Sequence, residues 1–102
     1  MRMPGNMQSM MKQAQQMQQK LQDEIALIRV EASAGGGMAT VKMDGQKTVL
    51  GVKIDPEVAG DVEMLQDMMM AAFNEAAKKV DEEVRAKTGA MLGGMGLPPG
   101  LF

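Results

Sequence analysis

The sequence predicts an α+β fold of order α-β-β-β-α, a three-stranded antiparallel meander flanked by two long helices, assembling as a homodimer. Three observations lead there. Apolar residues recur at steps of three and four near both ends of the chain, the helical period. Between them the pattern switches to strict alternation punctuated by Gly-rich and Asp-Gly turns. The second helical segment is apolar over more than half its circumference, too much for one small core.

That second segment, residues 61–87, contains no Pro or Gly and is rich in Ala, Met, Leu, Glu and Lys, all good helix formers. Val62, Leu65, Met69, Ala72, Ala76 and Val80 share one face, while Met68 widens it on one side and Met70, Phe73, Ala77 and Val84 on the other. A helix resting on one core needs an apolar stripe of only about 100°. The excess predicts two burial surfaces, one inside the subunit and one against a second copy, with Leu65, Met69, Ala72, Phe73 and Ala76 at the dimer contact. Asp61 is placed to cap the first turn, and Gly89 to stop the helix. Phe73 is the one aromatic inside the predicted fold. Its truncation to Ala is expected to lower stability by about 3–5 kcal/mol once the cavity is counted.

Residues 7–27 form the other helix, with Met7, Met10, Ala14, Met17, Leu21 and Ile28 along a seam close to that of a coiled coil. From Ile28 to Ser33 the residues alternate as a strand leaving the helix directly. Gly35-Gly36-Gly37 turns the chain into a strand at 39–43, and Asp44-Gly45 signals a hairpin into a third at 48–54, with Leu50, Val52 and Ile54 on one face. Pro56 ends the sheet. Residues 1–88 are expected to form one domain and residues 89–102, rich in Gly and Pro, a flexible tail.

Composition narrows the function. The chain has 102 residues, a net charge of −2, no Cys and no His, which removes thiolate chemistry, disulfides and the commonest general base and metal ligand. Hydroxyl side chains therefore have no obvious activating base. The carboxylate clusters Asp23-Glu24 and Asp81-Glu82-Glu83 read as solvated helix faces. The glycine run lies between strands and not before a helix, so it is no phosphate cradle. The expectation is a protein that is no enzyme, with no cofactor, metal or small-molecule substrate. No apolar run is long enough to span a membrane and no signal peptide opens the chain, so a cytoplasmic location is expected. Fourteen Met read first as adaptable core filler.

Charge placement says more than charge total. Residues 1–22 carry Arg2, Lys12 and Lys20 and no acid, together with seven Gln between positions 8 and 22. In the second helix the cations look compensated, because Glu75–Lys79, Asp81–Arg85 and Glu83–Lys87 have the favourable acid-first spacing. Lys78 is the least neutralised. A two-fold dimer doubles whatever the basic end presents.

Several segments resemble the bacterial YbaB/EbfC family of nucleoid-associated proteins. They are Met11-Lys12-Gln13-Ala14-Gln15-Gln16-Met17-Gln18, Val52-Lys53-Ile54-Asp55-Pro56, Met64-Leu65-Gln66-Asp67, Ala71-Ala72-Phe73-Asn74-Glu75-Ala76-Ala77-Lys78-Lys79 and Leu97-Pro98-Pro99-Gly100, in the family's order. The resemblance implies a tweezers-shaped homodimer that binds double-stranded DNA in the nucleoid, with a role in nucleoid organisation or gene regulation. Carried onto matching positions, it implies DNA contacts from Lys12, Lys20, Lys78, Lys79 and Arg85. The alternative of another class is a prefoldin-like holdase that uses Met-rich helices to grip unfolded chains.

Overall fold

A computed structural model of the chain describes residues 5–93. Helix α1 spans Gly5–Ala26, strands β1, β2 and β3 span Arg29–Ala34, Ala39–Asp44 and Val49–Ile54, and helix α2 spans Val62–Gly93. A short 3-10 turn, Pro56–Val58, joins β3 to α2. The strands form one antiparallel sheet in the order β1-β2-β3, so the predicted α-β-β-β-α meander is the architecture found.

The core forms where α2 lies across β1 and β2. Ala32, Val41 and Met43 from the sheet meet Ala72, Ala76 and Val80 from the helix, all buried, with Val30, Ala34, Met69, Phe73, Ala77 and Val84 around the margin. Alanine at the centre removes side-chain bulk between the two layers, so helix and sheet backbones approach closely and the remaining Val and Met side chains fill the gap. Phe73 sits half-buried at this margin, which reduces the cost expected for its truncation. Ala72 and Ala76 have no exposed surface in the single subunit, so the sheet has already used that part of the face predicted for the dimer.

Asp61 caps α2 as expected, its carboxylate accepting from the Met64 N–H at 3.1 Å. The other end differs. The helix runs through Gly89 to Gly93, and Gly89 does not take the left-handed conformation of a terminating glycine. Glycine weakens a helix interior by only about 1 kcal/mol, so without a cap motif it does not end one. The first four residues and residues 94–102, which hold most of the expected tail, lie outside the described residues.

The first turn is built as expected and the second is not. Gly35, Gly36 and Gly37 all have positive φ and reverse the chain between β1 and β2. In the second hairpin the positive φ falls on Lys47 and not on Gly45. Asp44 organises this turn, its Oδ1 accepting from the Gln46 and Thr48 N–H groups at 2.9 Å each. Gly45 has another duty: a Cβ there would overlap the carbonyl oxygen of Ile25, so the hairpin backbone closes directly onto the end of α1. Arg29 completes the junction, with Nη1 donating at 2.8 Å to the carbonyls of Ala26 and Ile28.

Strand β3 departs most from its predicted facing. A bulge opposite Lys42 and Met43 pairs Met43 with Val49 and Lys42 with Gly51, leaving Leu50 as the extra residue. Val49, Val52 and Ile54 therefore share the inner face with Met43, Val41 and Ala39, and Leu50 lines a cleft beside Arg29, Glu31 and Lys42. Because α2 packs on β1 and β2, this inner face of β3 is left open, with Val52 46% exposed.

Candidate nucleic-acid interface

The predicted contact residues come from two helices that touch each other only sparsely. On α1, Lys12 and Lys20 are exposed and lie about 12 Å apart along the axis, two turns and a fraction of helix. No acid precedes Asp23 on this helix, and Gln19 Nε2 donates to Asp23 Oδ1 at 2.9 Å, holding that carboxylate along the helix surface. On α2, Lys78 and Arg85 are exposed seven residues apart, which places them on one side of the helix about 10 Å from each other.

Lys79 has a different use. Its Nζ donates at 2.8 Å to the backbone carbonyl of Glu31, tying α2 to β1 across 48 residues of chain. Of the five cations put forward from the sequence, it is the one committed to the fold.

The expected compensation along α2 is absent, which corrects the sequence reading. Among the described residues the one ion pair joins Lys47 in the β2–β3 turn to Asp81 at 2.9 Å. Asp81 is thus drawn to the sheet and away from Arg85, and neither Glu75–Lys79 nor Glu83–Lys87 closes to ion-pair distance. Exposed pairs at helical spacing are worth only about 0.3–0.5 kcal/mol, little against the entropy of fixing two long side chains. Lys12, Lys20, Lys78 and Arg85 are left exposed, with no carboxylate at ion-pair distance among the described residues.

Lys87 is not among the sequence candidates, because the acid-first spacing pairs it with Glu83. In the fold it lines one groove between α1 and α2 with Lys20, alongside Met17, Glu24, Glu83 and Met91. Charge inside that groove is balanced, two cations against two carboxylates, while Lys12 stands beyond it on the acid-free part of α1. No spacing rule within one helix would have brought Lys20 and Lys87 together, since the juxtaposition depends on how the helices cross. No group of three or more carboxylates able to hold a metal ion occurs among the described residues.

This arrangement of exposed cations on projecting helices can attract a polyanion, and comparison with known proteins points the same way. The chain is 52% identical to a nucleoid-associated protein of Koribacter versatilis (strain Ellin345), across 91% of this chain and 94% of that one. It is 45% identical to a nucleoid-associated protein of Acidobacterium capsulatum over 97% of this chain and 98% of the other, and 46% identical to one of Xylella fastidiosa over 96% and 94%. The crystal structure of an uncharacterized protein from Helicobacter pylori shares the fold, with a TM-score of 0.76 at 23% identity over 89% of this chain and 99% of that one. The sequence profile of the YbaB/EbfC DNA-binding family matches residues 3–95, and with relatives of this closeness the chain belongs to that family.

Proposed function

We propose that this chain is a nucleoid-associated protein without catalytic activity that binds duplex DNA as a homodimer, in the cytoplasm on the chromosome, and so contributes to nucleoid organisation and gene regulation. Contact is mainly with phosphates, through Lys12, Lys20, Lys78 and Arg85, with the Gln-rich surface of α1 adding hydrogen bonds. The observation that carries the reading is that these four cations are exposed and form no ion pair among the described residues, on a chain whose relatives are named nucleoid-associated proteins.

Pairing is supported by β3. It is an edge strand with one backbone edge open, and it exposes Val49, Val52 and Ile54 on the face that α2 leaves uncovered. Such an edge invites another strand or sheet. Leu65, Met69 and Phe73, each half-buried, have surface left to extend the contact from α2. Two copies joined at β3 would hold α1 and the outer part of α2 as paired arms, the tweezers shape, and would double the basic surface.

The test is a gel shift with random-sequence duplex at low salt. Lys12→Glu combined with Lys20→Glu should abolish the shift while leaving the circular dichroism spectrum unchanged. Binding by the unaltered chain should weaken steeply with salt and depend little on sequence. A double variant that shifts DNA as well as the parent would remove α1 from the mechanism. No shift by the parent, together with suppression of client aggregation, would favour the holdase reading instead.

A further inference from the structure

We infer that the outer face of the sheet, the side away from α2, is a second DNA-phosphate contact surface, centred on Lys42 and Lys53. This inference rests on the DNA-binding reading above and adds a surface that the helices do not contain.

The register places the charges. Lys42 on β2 stands opposite Glu31 on β1 and Gly51 on β3, Arg29 stands opposite Asp44, and Lys53 opposite Thr40. Arg29, Lys42 and Lys53 therefore run diagonally across all three strands, two residues along for each strand crossed. Diagonal neighbours in an antiparallel sheet lie about 7–8 Å apart. All three side chains are exposed, and of the three Arg29 also holds the end of α1, its Nη1 donating to the Ala26 and Ile28 carbonyls. Glu31 and Asp44 are the carboxylates on this face, and Asp44 Oδ1 already accepts from two turn amides. Neither Glu31 nor Asp44 forms an ion pair with the row.

The surface also has relief. Gly51 carries no side chain, and a shallow cleft lies over it between Lys42 and Lys53, with Thr40 and Glu31 on its other sides. A second cleft lies between Arg29 and Lys42. Each depression is bordered by two cations and by the single carboxylate of Glu31, a net positive rim that suits a phosphate. At the cleft's edge Ser33 Oγ and Thr40 Oγ1 pair at 2.9 Å, adding hydroxyls that can donate to phosphate oxygens. Joined at β3, two copies would place two such rows on one molecule.

The test measures duplex binding by the full chain across a salt series. Lys42→Thr with Lys53→Thr removes two cations at exposed strand positions while keeping residues that suit a strand. Two lost phosphate contacts should make the slope of log Kobs against log salt shallower by about 1.8 and weaken binding roughly 60-fold near 0.1 M salt. Glu31→Gln, which removes a carboxylate beside the row, should tighten binding. If the parent shifts DNA and both variants match it in affinity and slope, with unchanged melting, the sheet contact is overturned and the helix contacts stand. If the parent does not bind DNA at all, both readings fall together.

Discussion

Lys79 Nζ reaches 2.8 Å from the main-chain oxygen of Glu31, so one of the helix cations holds α2 to the sheet and is not free to meet a ligand. Lys78, its chain neighbour, points to solvent. Two adjacent lysines therefore have separable effects.

Lys79→Met keeps most of the aliphatic stem and removes the donor. It should lower stability by about 1 kcal/mol, the scale of one partly exposed hydrogen bond, and leave DNA affinity nearly unchanged. Lys78→Met should do the reverse. Thermal melting and a binding isotherm on the two variants check the pair.

Gly45→Ala should destabilise by about 1–3 kcal/mol, because its Cβ would collide with the Ile25 carbonyl and push the hairpin off the end of α1. Gly51→Ala is the control: no atom lies near a Cβ there. Its stability should stay within about 0.5 kcal/mol of the parent. Chemical denaturation of both measures the contrast.

Val52→Asp should yield monomers. The side chain is exposed in the lone subunit, so the change costs the fold little, while a carboxylate buried between two copies would be strongly unfavourable. Light scattering at micromolar concentration reads the mass. A Val52→Asp chain that remains dimeric would move the interface elsewhere.

Val41 is fully buried at the centre of the core, and Phe73 only half-buried at its edge. Val41→Ala should cost about 2–3 kcal/mol through lost contacts and a residual cavity. Phe73→Ala should cost about 2 kcal/mol in the lone subunit, below the figure for a fully enclosed ring. A much larger loss at Phe73, disappearing in the Val52→Asp background, would show that the ring is covered by the second copy.

The sequence made the element order and the facing of β1 and β2 legible, because helical and alternating periods in Ala72-Ala76-Val80 and in Ala39-Val41-Met43 are local properties of the chain. It misassigned Leu50, since a bulge changes the parity of a strand without altering its composition. Asp44-Gly45 reads locally as a turn signal, whereas the role of Gly45 is steric room for Ile25, which is 20 residues away and adjacent only after folding. Charge partners along α2 were chosen by helical spacing, whereas Asp81 found Lys47 through tertiary contact. The basic row on the outer sheet face escaped notice because Arg29, Lys42 and Lys53 are scattered in sequence and aligned only by strand register.

The reach of α2 also has a consequence for how the molecule comes apart. Met68 packs beneath Gly35 at one end of the sheet and Asp81 meets Lys47 at the other, so only the middle of this helix rests on strands. Beyond Val84 its neighbours are those of the groove with α1, which is itself largely exposed. Opening free energies should therefore grade along one continuous helix, with slow amide exchange from Ala72 to Val80 and progressively faster exchange toward Gly93. Arg85, one of the proposed DNA contacts, lies in this faster-exchanging part, so added duplex should slow amide exchange there.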